Sequence, residues 1–253
     1  MMVGNLLLRG MIVGVIAGLL AFGFARMFGE PAVDHAIAFE DAARQAAGEA
    51  EEPEIVSRAT QAGLGLFTGV VTYSAALGGI LALVFAFAYG RLAPLGARAL
   101  AALLALGGYI AVVIVPGLKY PPNPPAVGNP ETIGYRTGFY FIMLVLSLAA
   151  LAVAVSLARR LWQTRGGWNA ALIGAATYVV LIIIVQIALP TVNEVPEQFP
   201  ATLLWHFRVA SFGLQAIIWT TLGLLFGYLA EQQLPAVSSA RTRPTDRRFA
   251  AAR

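Results

Sequence analysis

Few side chains in this sequence can do chemistry. There are 2 histidines, 13 acidic residues and no cysteine, so disulfides, thiolate-bound zinc and iron–sulfur centres are excluded. What remains is imidazole and carboxylate, groups able to ligate a metal ion. Two stretches hold the candidates. GEPAVDHAIAFEDA sets His35 beside Asp34 and close to Glu30, and PTVNEVPEQFPATLLWHFR carries Asn193, Glu194 and His206. His35, Asp34, Glu30, Glu194 and His206 therefore form a candidate metal set. Plainer uses stand beside it. A histidine at a membrane interface also serves as an anchor or as a loop hydrogen-bond partner, and Asn193 with Glu194, held between prolines, also serves to cap and close a loop.

Cations make a second constellation. Arg58, Arg136 and Arg208 each stand where a polar segment gives way to an apolar run, and Lys119, Tyr120 and Asn123 lie in the proline-rich stretch PGLKYPPNPPAVGNPETIGYRTGFY. Together with Asn193, these residues are candidates to line a vestibule, with the arginines converging on a carboxylate or phosphate. The alternative is that the arginines snorkel to headgroups and pair with Glu54, Glu131 and Glu197. No nucleophile and base share a recognisable arrangement, and no phosphate-binding GxxxxGK[ST] loop is present, so catalysis is not expected.

The elements that position these residues follow from composition. With 58% hydrophobic and 12% charged residues and a mean hydropathy of +0.75, the chain departs from soluble globules, whose charged fraction is about 25%. An all-α membrane protein is expected, with six apolar spans at about 6–28, 63–89, 97–115, 138–158, 168–189 and 209–230, arranged as three helical hairpins. The polar stretch 29–61 reads as a loop carrying a short surface helix. Prolines between Pro116 and Pro130 make that stretch an extended connector rather than helix. Residues 1–230 form one polytopic domain, and 231–253, rich in arginine, read as a disordered basic tail.

Charge sets orientation. Short links and tail hold Arg9, Arg91, Arg98, Arg159, Arg160, Arg165 and five further arginines, whereas the long loops hold eleven of the acids. By the positive-inside rule both termini and the short links are cytoplasmic. The basic residues thus reflect topology and contact with anionic lipid rather than nucleic acid. Inside the spans no charged residue lies deep; Thr72, Tyr73, Ser74, Tyr109, Ser147, Tyr178, Gln186 and Gln215 are the polar groups there. Gly10, Gly14 and Gly18 recur every fourth residue, as do Gly65 with Gly69 and Gly223 with Gly227, a spacing that brings helix backbones together. Each long excursion also starts at a proline past a helix end (Pro31, Pro116, Pro190) and finishes at one of the three arginines.

Those stretches, with VSRATQAGLGLFTGVVTYSAALGGILALVFAFAYGRL, resemble the CbtA family, described as a probable cobalt transporter subunit; the likeness runs from about Leu6 to Gly227. The resemblance implies a bacterial inner-membrane protein concerned with cobalt, or with nickel, and acting with a small CbtB-like partner or within a larger membrane complex. Two other readings accompany it: a non-transporting subunit of such a complex, and a binder of an anionic hydrophobic ligand at the arginines. One departure is visible. Related members often carry a histidine-rich run in the first outward loop, where this chain reads ARQAAGEAEEPEIVSR.

Overall fold

The computed structural model describes residues 2–48, 55–92 and 95–234, and among these it is entirely helical between its connectors, with no strand. Among the described residues five helices are long and apolar enough to cross a membrane: α1 (Val3–Ala47), α2 (Arg58–Ala88), α3 (Ala97–Lys119), α4 (Pro130–Ala188) and α5 (Ala201–Gln233). Large apolar side chains stand exposed along all of them, among them Leu20, Phe87, Leu106, Val145, Ile187 and Leu224. That is the outer surface of a helical membrane protein, on which lipid replaces water.

The expected boundaries are corrected at the proline-containing segments. Pro31 does not end the first helix. A π-turn at Ala25–Gly29 precedes it, and α-helix resumes from Glu30 to Ala47. Stretch 29–61 is therefore largely an extension of α1. At about 1.5 Å per residue, its 45 residues reach about 68 Å, well beyond a hydrocarbon core of about 30 Å. Pro116 behaves in the same way, following a π-turn at Tyr109–Ile114 and sitting inside the helical stretch Val115–Lys119. A proline withholds an N–H and crowds the carbonyl four residues back, and a wider turn just before it relieves that conflict. The extended connector accordingly shrinks to residues 120–129. A 3₁₀ turn at Pro130–Thr132, capped by the Asn129 side chain, then opens α4. Only Pro190 lies past a helix end, one residue after the Leu189 C-cap. The last helix begins at Ala201, earlier than expected, and runs through Gln233, so the first residues assigned to the tail are helical. The remainder of the tail, 235–253, lies outside the described residues.

Helix α4 is two limbs. Gly166 has φ 74° and ψ 159°, which breaks the helix, and the chain folds back there. Ser147 Oγ lies 2.9 Å from Tyr178 Oη, and Gly174 abuts Ala154 and Ala158.

Packing relies on small residues. Gly10, Gly14 and Gly18 meet Gly78, Ser74 and Val71 in descending order, so α1 and α2 are antiparallel with backbones in contact; a Cβ at Gly14 would lie 2.3 Å from the Ser74 carbonyl oxygen. Gly223 and Gly227 seat against Ala105, Ala101 and Arg98 of α3. Gly69, in contrast, has nothing near it, so the second glycine pair is not a packing face. The main core gathers Val13, Leu81, Phe85, Ile218, Leu222 and Phe226 from α1, α2 and α5 with Leu100 from α3. Phe85 and Phe226 meet edge to face at 5.2 Å. Helix α4 stands apart from that core and joins α3 through Val115, Met143, Ala150 and Ile182.

Candidate vestibule

The connectors 120–129 and 189–200 and the extension of α1 come together at one end of the bundle. Ala36 and Phe39 of α1 pack on Val127 and Phe199, one from each connector, with Val195 and Leu203 alongside. This small apolar cluster fixes the stiff loops over the helix ends.

Polar braces complete the end. Lys119 Nζ donates to the Gln186 carbonyl at 2.7 Å, while the Gln186 side chain donates back to the Val115 carbonyl at 3.2 Å. The Tyr120 hydroxyl donates to the Pro190 carbonyl at 2.8 Å. The end of α3 is thus tied to the end of α4, in part through the Gln186 carbonyl, one of those that a helix C-terminus leaves unpaired. Glu194 binds the connectors to each other. It accepts from the Thr132 hydroxyl at 2.6 Å and the Asn129 N–H at 2.7 Å, and its Oε2 is 3.2 Å from Arg136 Nε. These bonds, Thr132 first, then Asn129, with Arg136 adding its charge, hold the Glu194 carboxyl below the ordinary glutamate pKa.

Between these ties opens a cavity of about 910 Å³. Its wall includes Lys119, Tyr120, Asn123, Arg136, Asn193, Glu194 and Arg208, so the structure brings together six of the seven residues proposed for a vestibule, and Glu194 with them. Arg58 is elsewhere. Its guanidinium binds Glu30, and its Nε donates to Asp34 at 2.8 Å. Neither Arg136 nor Arg208 takes the glutamate partner expected from sequence order: Arg136 pairs with Glu194, and Arg208 donates to the Asn123 amide oxygen at 2.8 Å, while Arg58, at the start of α2, pairs with Glu30 and Asp34 of α1's extension. Glu54 lies outside the described residues.

Among the described residues, the charges that line the cavity are three cations, Lys119, Arg136 and Arg208, against the single carboxylate of Glu194. A bare divalent ion ~8 Å from one guanidinium would be opposed by about 4 kcal/mol at an effective dielectric constant near 20. A second opening of about 620 Å³, lined by Glu30, Gln61, Tyr73, Tyr140 and Gln215, adjoins the first. Tyr73, Tyr140, Leu214 and Gln215 line both.

The five proposed metal ligands are not gathered. Among the described residues no three histidine, aspartate or glutamate side chains lie close enough to hold an ion. His35 and His206 are exposed and line neither cavity. Glu30 and Asp34 face Arg58, and Glu194 is engaged at the connectors. Sequence reasoning also passed over Gly128, Asn129 and Thr132. Gly128, at φ 121°, lies under the Arg136 guanidinium, where a Cβ would come within 2.3 Å of Nη1. The GNP tripeptide at 128–130 was the available signal, being a strong turn sequence.

Long apolar helices around a polar basin open at one end define a multi-pass helical membrane protein with a small-molecule-sized cavity. The chain belongs to the CbtA family: the family model described as "Probable cobalt transporter subunit (CbtA)" matches residues 3–231. No curated protein and no solved structure matches the chain. Membership makes this a membrane transport protein concerned with cobalt, and the description implies cobalt as cargo and at least one further subunit.

Proposed function

We propose that this protein is the polytopic subunit of a cobalt uptake system in the bacterial inner membrane, working with a small CbtB-like partner and having no catalytic activity of its own. The observation that carries the reading is the family match over residues 3–231. The two limbs of α4 raise five long helices to six crossings in three hairpins, a count supported by the break at Gly166 and the Ser147–Tyr178 contact across it. Residues 1–230 then form the membrane domain, and 231–253 the basic tail.

Orientation follows from the arginines. Arg9 donates to the Leu229 carbonyl and Arg98 pairs with Glu231, so the N-terminus, the link into α3 and the end of α5 share one face. The positive-inside rule makes that face cytoplasmic and the vestibule external. Cobalt meets the outer face first, where His35, Asp34, Glu30, Glu194 and His206 are the groups able to attract it. Because Arg58 holds two of them, they act as a dispersed approach surface until that clamp opens.

The test is cobalt accumulation at submicromolar concentration in cells without other importers, with the chain and a candidate partner present or absent, followed by the His35→Ala/His206→Ala variant. Uptake should require the chain and fall several-fold in the variant. A folded, membrane-inserted chain that supports no uptake with any partner would sink the transport reading.

A further inference from the structure

We propose that the vestibule is an oxyanion site, taking a carboxylate or phosphate group between Arg208 and Arg136 with the rest of the ligand along the cavity's apolar wall. The inference is independent of cobalt transport, since it concerns a site whose charge is wrong for a free cation.

Arg208 is the central observation. A guanidinium stays charged at any relevant pH and presents five donors in a fixed fork. Here one terminal nitrogen donates to the neutral Asn123 amide oxygen, while Nε is buried without an acceptor. Among the described residues Arg208 makes no ion pair, unlike Arg58 and Arg136. Arg136 is only partly answered. Its Nη2 donates to the Asn129 carbonyl, and its Nε is within ion-pair range of Glu194 but outside hydrogen-bond geometry. Glu194 does not serve Arg208 in this structure: its two oxygens are turned to Thr132 and Asn129, with Arg136 rather than Arg208 in ion-pair range. A partly buried cation whose Nε is shut from water without an acceptor is costly unless an anion completes it.

The remaining wall fits such a ligand. Thr137, Thr191 and Asn193 add neutral polar groups, and Val112, Phe212 and Leu214 give an apolar side against which a carbon skeleton can lie. A volume of about 910 Å³ is within the range of small-molecule pockets, about 300–1,000 Å³. Two sources share this chemistry: a free small oxyanion and the phosphate of an anionic lipid.

The experiment uses the full chain, purified in detergent, delipidated and free of metal. Calorimetric titration with citrate and with inorganic phosphate forms one arm; native mass spectrometry after adding phosphatidylglycerol forms the other. Saturable citrate or phosphate binding that weakens at least tenfold in Arg208→Gln, and is partly kept in Arg208→Lys, assigns a free oxyanion. Retention of phosphatidylglycerol alone, lost in Arg208→Gln, assigns a lipid headgroup. Arg44→Gln, which removes a cation elsewhere, should change neither. Should Arg208→Gln fail to fold, Asn193→Asp places a second carboxylate in the wall at an exposed position and should also weaken binding about tenfold. No binding in either arm, or binding indifferent to both Arg208→Gln and Asn193→Asp, overturns the site.

Discussion

Arg58, Arg136 and Arg208 stand at corresponding places in the sequence, yet each meets a different environment. Arg58 faces the nearly buried Glu30, whose side chain is 9% exposed, and the more open Asp34. Loss of one partner from such a pair strands the other, whereas loss of both is much better tolerated. Arg58→Gln should therefore lower stability by about 1–3 kcal/mol, and adding Glu30→Gln should recover part of it; thermal unfolding in detergent reads both. Glu194 carries a pH dependence. Its folded pKa lies below the ordinary glutamate value of 4.5, so its ties contribute fully above that value and are lost as pH falls through the lower folded one. The melting temperature of the wild type should fall on acidification below about pH 4.5 by more than that of Glu194→Gln. Equal falls would remove Glu194 as the cause. Much of this site was legible one residue at a time: six of seven vestibule residues do share a cavity. Their partners were not legible, because an ion pair such as Arg136 with Glu194 is set by how two connectors fold over each other, and loop sequence order does not encode that.

Among the elements, the glycines divide by what lies opposite them. Gly14→Ala drives a methyl group into the Ser74 backbone and should cost about 1–3 kcal/mol through overpacking. Gly69 is open, so Gly69→Ala should be neutral or slightly stabilising, since glycine is poorer than alanine in helices by about 1 kcal/mol. Thermal melts of the two variants side by side test this, and a destabilised Gly69→Ala would count against the packing described. The four-residue spacing correctly marked the α1 face, because that spacing returns to one side of a helix. It failed for Gly65 and Gly69 because spacing gives a face but not what packs on it. Prolines misled in a related way. Pro31 and Pro116 read as helix ends because an α-helix cannot hold them unrelieved, and the sequence gives little sign of the π-turns that relieve them.

For the whole molecule, the apolar exterior and the basic cavity at one end imply sides that can be tested directly, and the absence of cysteine makes the test clean. A single Asn193→Cys at the vestibule should react with a membrane-impermeant thiol reagent in intact cells, and Thr164→Cys near the turn of α4 only after lysis. The opposite pattern would invert the proposed orientation. The π-turn in α1 bears on the same global arrangement. A bond from residue i to i+5 encloses one residue more than the α-helical bond, and one residue is about 100° of rotation. Ala25–Gly29 thus acts as a phase shifter: below it the helix aims Gly10, Gly14 and Gly18 at α2, and above it the azimuth is reset so that Glu30 and Asp34 meet Arg58. A helix of constant phase would have to choose between its membrane contact and its clamp.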